Sequence, residues 1–389
     1  MTGLVNSTTT IRSAADASWD VVVVGGGPAG AIAAREIARF GASVLLIDKS
    51  KFPRYKVCGG CLNQRALSTL KHVGLERLPQ QCGAKRTNHF VLAAAKRRAK
   101  LRLADGASLS RSALDAAMVA AAIDSGVHFL AATTANLGPP QRHSRLVLLS
   151  SSKARGTVQA RVVLAADGLG GRLLASGQPA DTWISSGSRI GAGAIGAASH
   201  SNYKTASIYM ACGAGGYVGL VRVENDQLNI AAALAPDFVK RSGGIASAAG
   251  HVIREAGLPD LDGLANLPWR GTPHLTRSTP RLARYRTLAL GDATGYVEPF
   301  TGEGMAWALE AGVAVAPIAL DGLRSWTPEL VRRWYRDQRR RISGRWICRT
   351  LSLVTRHSAL TNAAVSVLSH MPGLATPFVS AVNSRCRFD

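Results

Sequence analysis

Gly25, Gly27 and Gly30 stand as GxGxxG directly after the apolar run Asp20–Val24, and before a stretch in which Ile32, Ile37 and Phe40 keep helical spacing. That order reads as strand, glycine turn, helix, and its chemistry is the holding of a pyrophosphate. The first glycine permits a tight turn, the second lets backbone approach phosphate, and the third lets helix pack on strand. Amides at the helix start then point at the anion. Asp48 closes the next apolar run, where a carboxylate can accept hydrogen bonds from ribose hydroxyls, and Lys49 beside it is grouped with the same site. The pattern predicts dinucleotide binding.

Two distant segments carry the reading further. Ala165-Ala166-Asp167-Gly168 follows a strand-like run, and Leu288-Ala289-Leu290-Gly291-Asp292-Ala293 precedes Pro299 and Gly302-Glu303-Gly304. FAD is long enough that its ribityl chain and ring must be held by residues far from the first glycine turn, so these segments favour FAD over NAD. Gly302 to Met305 opens a helix, which sets free amides and a positive dipole end where a reduced flavin would place negative charge. An ordinary glycine-flanked loop before a buried helix is the plainer alternative.

With these motifs the sequence resembles the glutathione-reductase-type FAD superfamily, in the branch of aromatic-ring monooxygenases, geranylgeranyl reductases and flavin-dependent halogenases. The resemblance covers most of the first 320 residues. It implies that Asp292 contacts the ribityl and pyrophosphate portion of FAD, and that Asp167 and Gly168 shape the site from beneath. It also implies that Arg111, which opens a helix like the family's RxxLD segment, reaches the cofactor while Asp115 is structural. The run Phe52-Pro53-Arg54-Tyr55-Lys56-Val57-Cys58-Gly59-Gly60-Cys61 is similar to the PRxKxCGG loop of geranylgeranyl reductases, which would place Cys58 and Gly59 beside the flavin. The chain departs from the pattern at Gly170-Gly171-Arg172, where many relatives have a Ser before the Arg. It lacks the WxWxIP signature of the halogenases, and Gly216–Leu220 stands where the reductases carry YxWxFP.

Cys58 and Cys61 also form CxxC. A redox pair feeding the flavin is one reading, and Cys58 is the one side chain named as a catalytic candidate. A structural or ligand-contacting role is favoured, because no thioredoxin-like context surrounds the pair. Zinc would need two further ligands nearby and none is evident, so no metal is expected. His89, His128, His274 and His357 are scattered without partners at helpful spacing. The flavin is expected to do the chemistry, while the protein supplies position, desolvation and electrostatics.

The elements that must position these residues suggest an α/β fold. A Rossmann-type FAD-binding domain, with a parallel sheet plus β-meander, spans 19–183 and 274–325 discontinuously. An interleaved α+β substrate domain spans 184–273, and a basic C-terminal helical region spans 326–389. The polar residues 1–18 predict a disordered leader. Strands are expected near Ile208–Ala211, Tyr217–Val223 and Leu228–Leu234, a helix over Phe238–Ala256, and another from about Gly302 to Leu320.

The chain has 389 residues, 47% of them hydrophobic, and a formal net charge of +23. Such a charge favours acidic partners, anionic lipid or phosphorylated ligands. Nucleic acid is set aside, since zinc-ligand spacing and an RNP-type aromatic motif are both missing. The six cysteines are spread out, which fits a reducing, cytoplasmic setting. Arginines from Arg332 to Arg356 alternate with Trp334, Tyr335, Ile342, Trp346 and Leu351, an amphipathic pattern that would suit peripheral contact of residues 330–356 with the inner face of an anionic membrane. The same helix could instead pack its aromatic side on the FAD domain with its arginines in water.

The expected activity is oxidation or reduction of an apolar lipid, prenyl or polyketide-type substrate, with NAD(P)H or a reduced carrier as donor. Reduction or dehydrogenation of a carbon–carbon bond is the first reading. Hydroxylation with O2 through a flavin C4a-hydroperoxide is the alternative, and a flavin-bearing membrane-surface protein without turnover is the minor one. No second GxGxxG follows a strand, so any nicotinamide donor must visit the flavin rather than occupy its own domain.

Overall fold

The computed structural model describes residues 3–175, 182–197, 202–298, 300, 302–343 and 345–383. Ser18–Val24 pairs in parallel with Val44–Ile47 on one side and Arg155–Ala165 on the other. Each neighbour carries a further parallel partner, His128–Leu130 and Thr287–Ala289 respectively. The unbroken apolar run Val21–Val24 follows from this position, because a parallel sheet is covered on both faces. Val21 and Val23 face the helices Pro28–Arg39, Arg111–Ile123 and Gly304–Arg324. Val22 and Val24 face a meander in which Thr134–Pro140 and Arg145–Ser150 run antiparallel beside Arg155–Ala165.

A second sheet of eight strands lies beside the first. Its order is Arg270–His274, Ile190–Ala197, Gln227–Leu234, Gly216–Arg222, Ala206–Gly213, Lys85–Ala94, Arg97–Ser108 and Cys61–Leu62. Side chains alternate across it: Ala93, Ala211, Val218 and Ala232 meet the helix Ile245–Glu255, whereas Leu92, Met210, Tyr217 and Ala233 point the other way. The sheet recruits three strands from before residue 109, so it is not confined to 184–273, the span expected for a separate domain. That contribution is invisible locally, since nothing in a strand's own sequence names a partner more than 100 residues away.

Three further expectations are corrected. Residues 3–18 are ordered: Val5 bridges Phe52, Thr8 and Ser7 bond the edge strand at Phe129 and Ala131, and Thr10 caps a helical turn at Ile11–Ala15 that buries Ile11. An open strand edge presents unpaired amides, and the polar leader satisfies them. The helix expected over Phe238–Ala256 is two, Pro236–Arg241 and Ile245–Glu255, divided where Gly243 and Gly244 take φ of 77° and 127°. The basic segment 330–356 is likewise divided, into Pro328–Ser343 and Trp346–Val354.

In Pro328–Ser343 the aromatic side faces inward. Trp334 is fully buried and donates its indole N–H to Ala289 O at 3.0 Å, while Arg332, Arg333 and Arg336 are exposed. Two short helices follow, Ser358–His370 and Thr376–Asn383. Among the described residues one helix, Gly304–Arg324, is long and apolar enough to cross a membrane by length and composition. It is mostly buried against Pro28–Arg39, where a Cβ on Gly312 would come within 2.5 Å of Ala29 O.

Candidate active site

The glycine turn is a close fit of backbone to backbone. Gly25 has φ of 113° and its Cβ would lie 2.2 Å from Ala166 O; a Cβ on Gly30 would lie 1.9 Å from Gly25 O. The turn is thereby pressed against the strand end that leads to Asp167. Gly27 caps the helix Pro28–Arg39 in extended conformation, and no side chain bonds the amides of the first turn. Those donors are left for a ligand or solvent. Asp48, at the end of Val44–Ile47, accepts Gly26 N on Oδ2 and Ser50 N on Oδ1, both at 2.8 Å. Each oxygen retains a lone pair for a further donor.

Around this turn two arginines share one buried carboxylate. Arg111 makes a bidentate pair with Asp115 at 2.7 and 2.8 Å, and Arg54 reaches the same carboxylate at 2.9 Å. Arg54 also lies 3.5 Å from Asp48 and over the Phe52 ring at 4.8 Å. Both guanidiniums border Gly27: a Cβ there would sit 3.5 Å from Arg111 Nη2 and 3.8 Å from that of Arg54. Asp115 thus fixes two cations beside the phosphate-type turn. Lys56 adds a third, its Nζ 2.9 Å from where a Gly168 Cβ would stand. Burial first, then Arg111 and Arg54, push the Lys56 ammonium below its ordinary pKa, and Asp292 and Asp115 oppose the shift.

Arg54 and Lys56 were quoted in the loop motif without being assigned to the cofactor. Their signal was composition, two cations in a loop between a ribose-type aspartate and the CGG glycines. Lys49, which was assigned, is exposed, and its charge acts on Asp167. Asp167 accepts Leu173 N at 2.9 Å, and burial pushes its carboxyl above the ordinary range. Its Oδ1 is buried with no hydrogen-bond partner among the described residues. Gly168 takes φ of 75° beside it.

The second distant segment docks on the first helix. Gly291 has φ of 63° and a Cβ there would lie 3.0 Å from the Ala29 side chain, so Asp292 is delivered beside the glycine turn. The Asp292 charge acts on Lys56, Arg111, Tyr296 and Arg345, which surround it. Arg345 is buried over the Trp307 ring at 4.5 Å and donates to Gly295 O at 3.0 Å. Pro299 lies outside the described residues.

The Cys58–Cys61 loop joins the two domains. Asn229 of the second sheet donates to Cys58 O at 2.9 Å, and on the other side Gly302 places its missing Cβ 3.4 Å from that of Cys61. Gly59 has open space around its Cα. Burial, then the neighbouring Cys58, push the Cys61 thiol up to about 12, which keeps it neutral. Glu303 is turned into the protein: Cys348 donates to Oε2 at 2.6 Å and Arg65 lies 3.6 Å from Oε1. Arg65 is held in turn by Glu310 at 3.0 and 2.8 Å. The backbone at Gly302–Gly304 is thus braced, with Met305 buried behind it as Gly304–Arg324 begins.

Beyond that loop lies a buried apolar cluster built from three far segments. Leu92, Met210 and Tyr217 of the second sheet meet Phe300, and Leu351, Val365 and Leu368 of the C-terminal helices close it. Tyr217 packs edge-on to Phe300 at 4.9 Å, and Arg189, paired with Glu298 at 2.8 Å, lies over the Tyr217 ring at 5.4 Å. Burial and the Glu298 charge push the Tyr217 phenol well above its usual range, so it is neutral. Among the described residues no group of His, Cys, Asp or Glu could hold a metal.

The set of residues fits FAD: a glycine cradle that side chains would fill, uncapped helix amides, three cations at that turn, and a buried aspartate oxygen without a partner. Residues 18–179 match the family profile described as FAD binding domain. Menaquinone reductase of Mycobacterium tuberculosis is 55% identical over 60 residues, which are 15% of this chain and 15% of that protein. The shared stretch is therefore a small part of either. Digeranylgeranylglycerophospholipid reductase 2 of Methanopyrus kandleri is 29% identical over 168 residues, 40% of this chain and 39% of that one. The solved structure of the flavin-dependent brominase Bmp2 superposes with a TM-score of 0.78 at 18% identity, covering 96% of this chain and 95% of that one. At that identity the likeness is one of fold.

Proposed function

We propose that this FAD-dependent oxidoreductase reduces a carbon–carbon bond in an apolar lipid, prenyl or polyketide-type molecule with NAD(P)H or a reduced carrier as donor, or dehydrogenates such a bond with an electron acceptor reoxidising the flavin. The observation that carries the reading is the apolar cluster of Leu92, Met210, Tyr217, Phe300, Val365 and Leu368 beyond the Cys58–Cys61 loop, the part of the molecule next to that loop whose chemistry suits an apolar substrate. The short likeness to a menaquinone reductase and the longer one to a digeranylgeranylglycerophospholipid reductase, both reductases by name, support it.

Bound FAD supplies two-electron transfer. The chain's own residues do the rest. Asp48 would hold the ribose; Arg54, Arg111 and Lys56 with the amides after Gly27 would hold the phosphates; Asp292 would hold the ribityl region. Gly302–Met305, at the positive end of a helix braced by Arg65 and Glu303, would favour negative charge on the reduced ring. Tyr217 and Phe300 would exclude water and border an apolar chain, with Arg189 and Glu298 fixing the Tyr217 ring.

The test is anaerobic mixing of the reduced protein with menaquinone or a geranylgeranyl lipid, followed by product analysis. Flavin reoxidation with a product altered by two hydrogens is expected. A substrate that is hydroxylated, and only when O2 is admitted, would replace this reading with the monooxygenase one. A flavin that no substrate reoxidises would leave the surface-binding one.

A further inference from the structure

Exposed apolar side chains are concentrated in one part of the molecule. Of the thirteen large hydrophobics exposed among the described residues, seven lie between residues 346 and 378. They recur at helical spacing. Trp346 and Leu353 are seven apart on Trp346–Val354, Leu360 and Val367 are seven apart on Ser358–His370, and Met371, Leu374 and Phe378 continue the row at intervals of three and four. The opposite sides of the same helices are buried at Cys348, Thr361, Val365 and Ala375. Val365, Leu351 and Leu368 pack into the cluster that holds Tyr217 and Phe300. These helices therefore cover that cluster and are apolar on both sides.

The charge around this row has one sign. From Gln338 to Phe388 the sequence has eight arginines and no aspartate, glutamate or lysine. Arg339, Arg340 and Arg349 are exposed. A soluble surface patch of this size would be broken by mixed charges. Helices of 9, 13 and 8 residues are too short to span a bilayer, which takes about 20.

We propose that the exposed face of Trp346–Asn383 docks in the interface of an anionic lipid bilayer, with the arginines at headgroup level and Trp346, Leu353, Leu360 and Leu374 among the acyl chains. The contact is distinct from the helix Pro328–Ser343, whose aromatic side is already occupied by Ala289 and Leu282. It places a membrane against the helices that cover the Tyr217 and Phe300 cluster. The occupant follows from charge: a second copy of this chain would bring the same arginine-rich, acid-free segment against itself, whereas an anionic surface neutralises it.

The experiment is co-sedimentation of the FAD-loaded full-length protein with phosphatidylcholine vesicles, with or without phosphatidylglycerol. Binding at least about tenfold stronger to the anionic vesicles and weakened by salt is expected, since each interfacial arginine contributes about fivefold. Leu360→Asp with Leu374→Asp should cut binding by about tenfold or more while leaving flavin content and Tm unchanged, because both side chains are already exposed. Trp346→Phe should remove most of the quenching of intrinsic fluorescence by brominated lipid, which keeps the test sharp if the double variant misfolds. Equal binding to both vesicle types, no binding, or binding untouched by the double variant would overturn the proposal. So would a wild-type dimer that the double variant converts to monomer. None of these outcomes depends on the substrate or on turnover.

Discussion

The two ends of the site are built by opposite means. At the phosphate end, Gly25–Gly30, Asp48, Arg54, Arg111 and Asp115 form a lattice of backbone contacts and paired charges with almost no freedom. At the apolar end, Leu92, Met210, Tyr217, Phe300 and Val365 form a packed cluster whose shape can vary without leaving a charge unpaired. The first end therefore tolerates little substitution and the second tolerates much. A fold of this kind can keep one cofactor while changing what it acts on.

Replacing Gly30 by Val should have the largest effect, because even a Cβ there meets Gly25 O at 1.9 Å. The variant is expected to be purified without flavin or to fail to fold, as read by the visible spectrum and circular dichroism. Next is Asp115→Asn, which leaves Arg54 and Arg111 without their shared carboxylate. Breaking a buried pair this way costs about 3–5 kcal/mol, measurable by urea unfolding, and should weaken FAD retention.

Phe300→Leu should act on the other end only. It removes the edge-on contact with Tyr217 at 4.9 Å, worth roughly 0.5–1.5 kcal/mol, so FAD should stay bound while KM for an apolar substrate rises severalfold. Loss of flavin from this variant would abolish the distinction between the ends. The smallest effect is expected at Cys61. With its pKa near 12, about one thiol in ten thousand is ionised at pH 8. Alkylation of Cys61 should be slow there and speed up about tenfold per pH unit below that pKa, and Cys61→Ser should keep its flavin and its turnover.

The same contrast governs how much could be read in advance. Gly25, Gly27, Gly30 and Asp48 announce their chemistry because a phosphate turn needs fixed residue types at fixed spacing, and Gly291-Asp292 announces itself at the end of an apolar strand. Arg54 stood in a quoted motif, but its link to Asp115 crosses 61 positions and follows only from the fold. The apolar cluster had no local signal at all. Tyr217, Phe300 and Val365 look like ordinary core residues, and only the parallel pairing of Ala206–Gly213 with Lys85–Ala94 shows that the second sheet gathers strands from both halves of the chain. The polar leader misled for a related reason: Ser7 and Thr8 are polar because a strand edge needs partners.

The account rests most directly on the claim that the paired charges around Gly27 and the two distant aspartates serve one FAD. Purified protein should carry the visible absorption of an oxidised flavin, release about one FAD per chain on denaturation, and lose it in the Gly30→Val variant if that folds. A folded protein that is colourless and takes up no added FAD would contradict it.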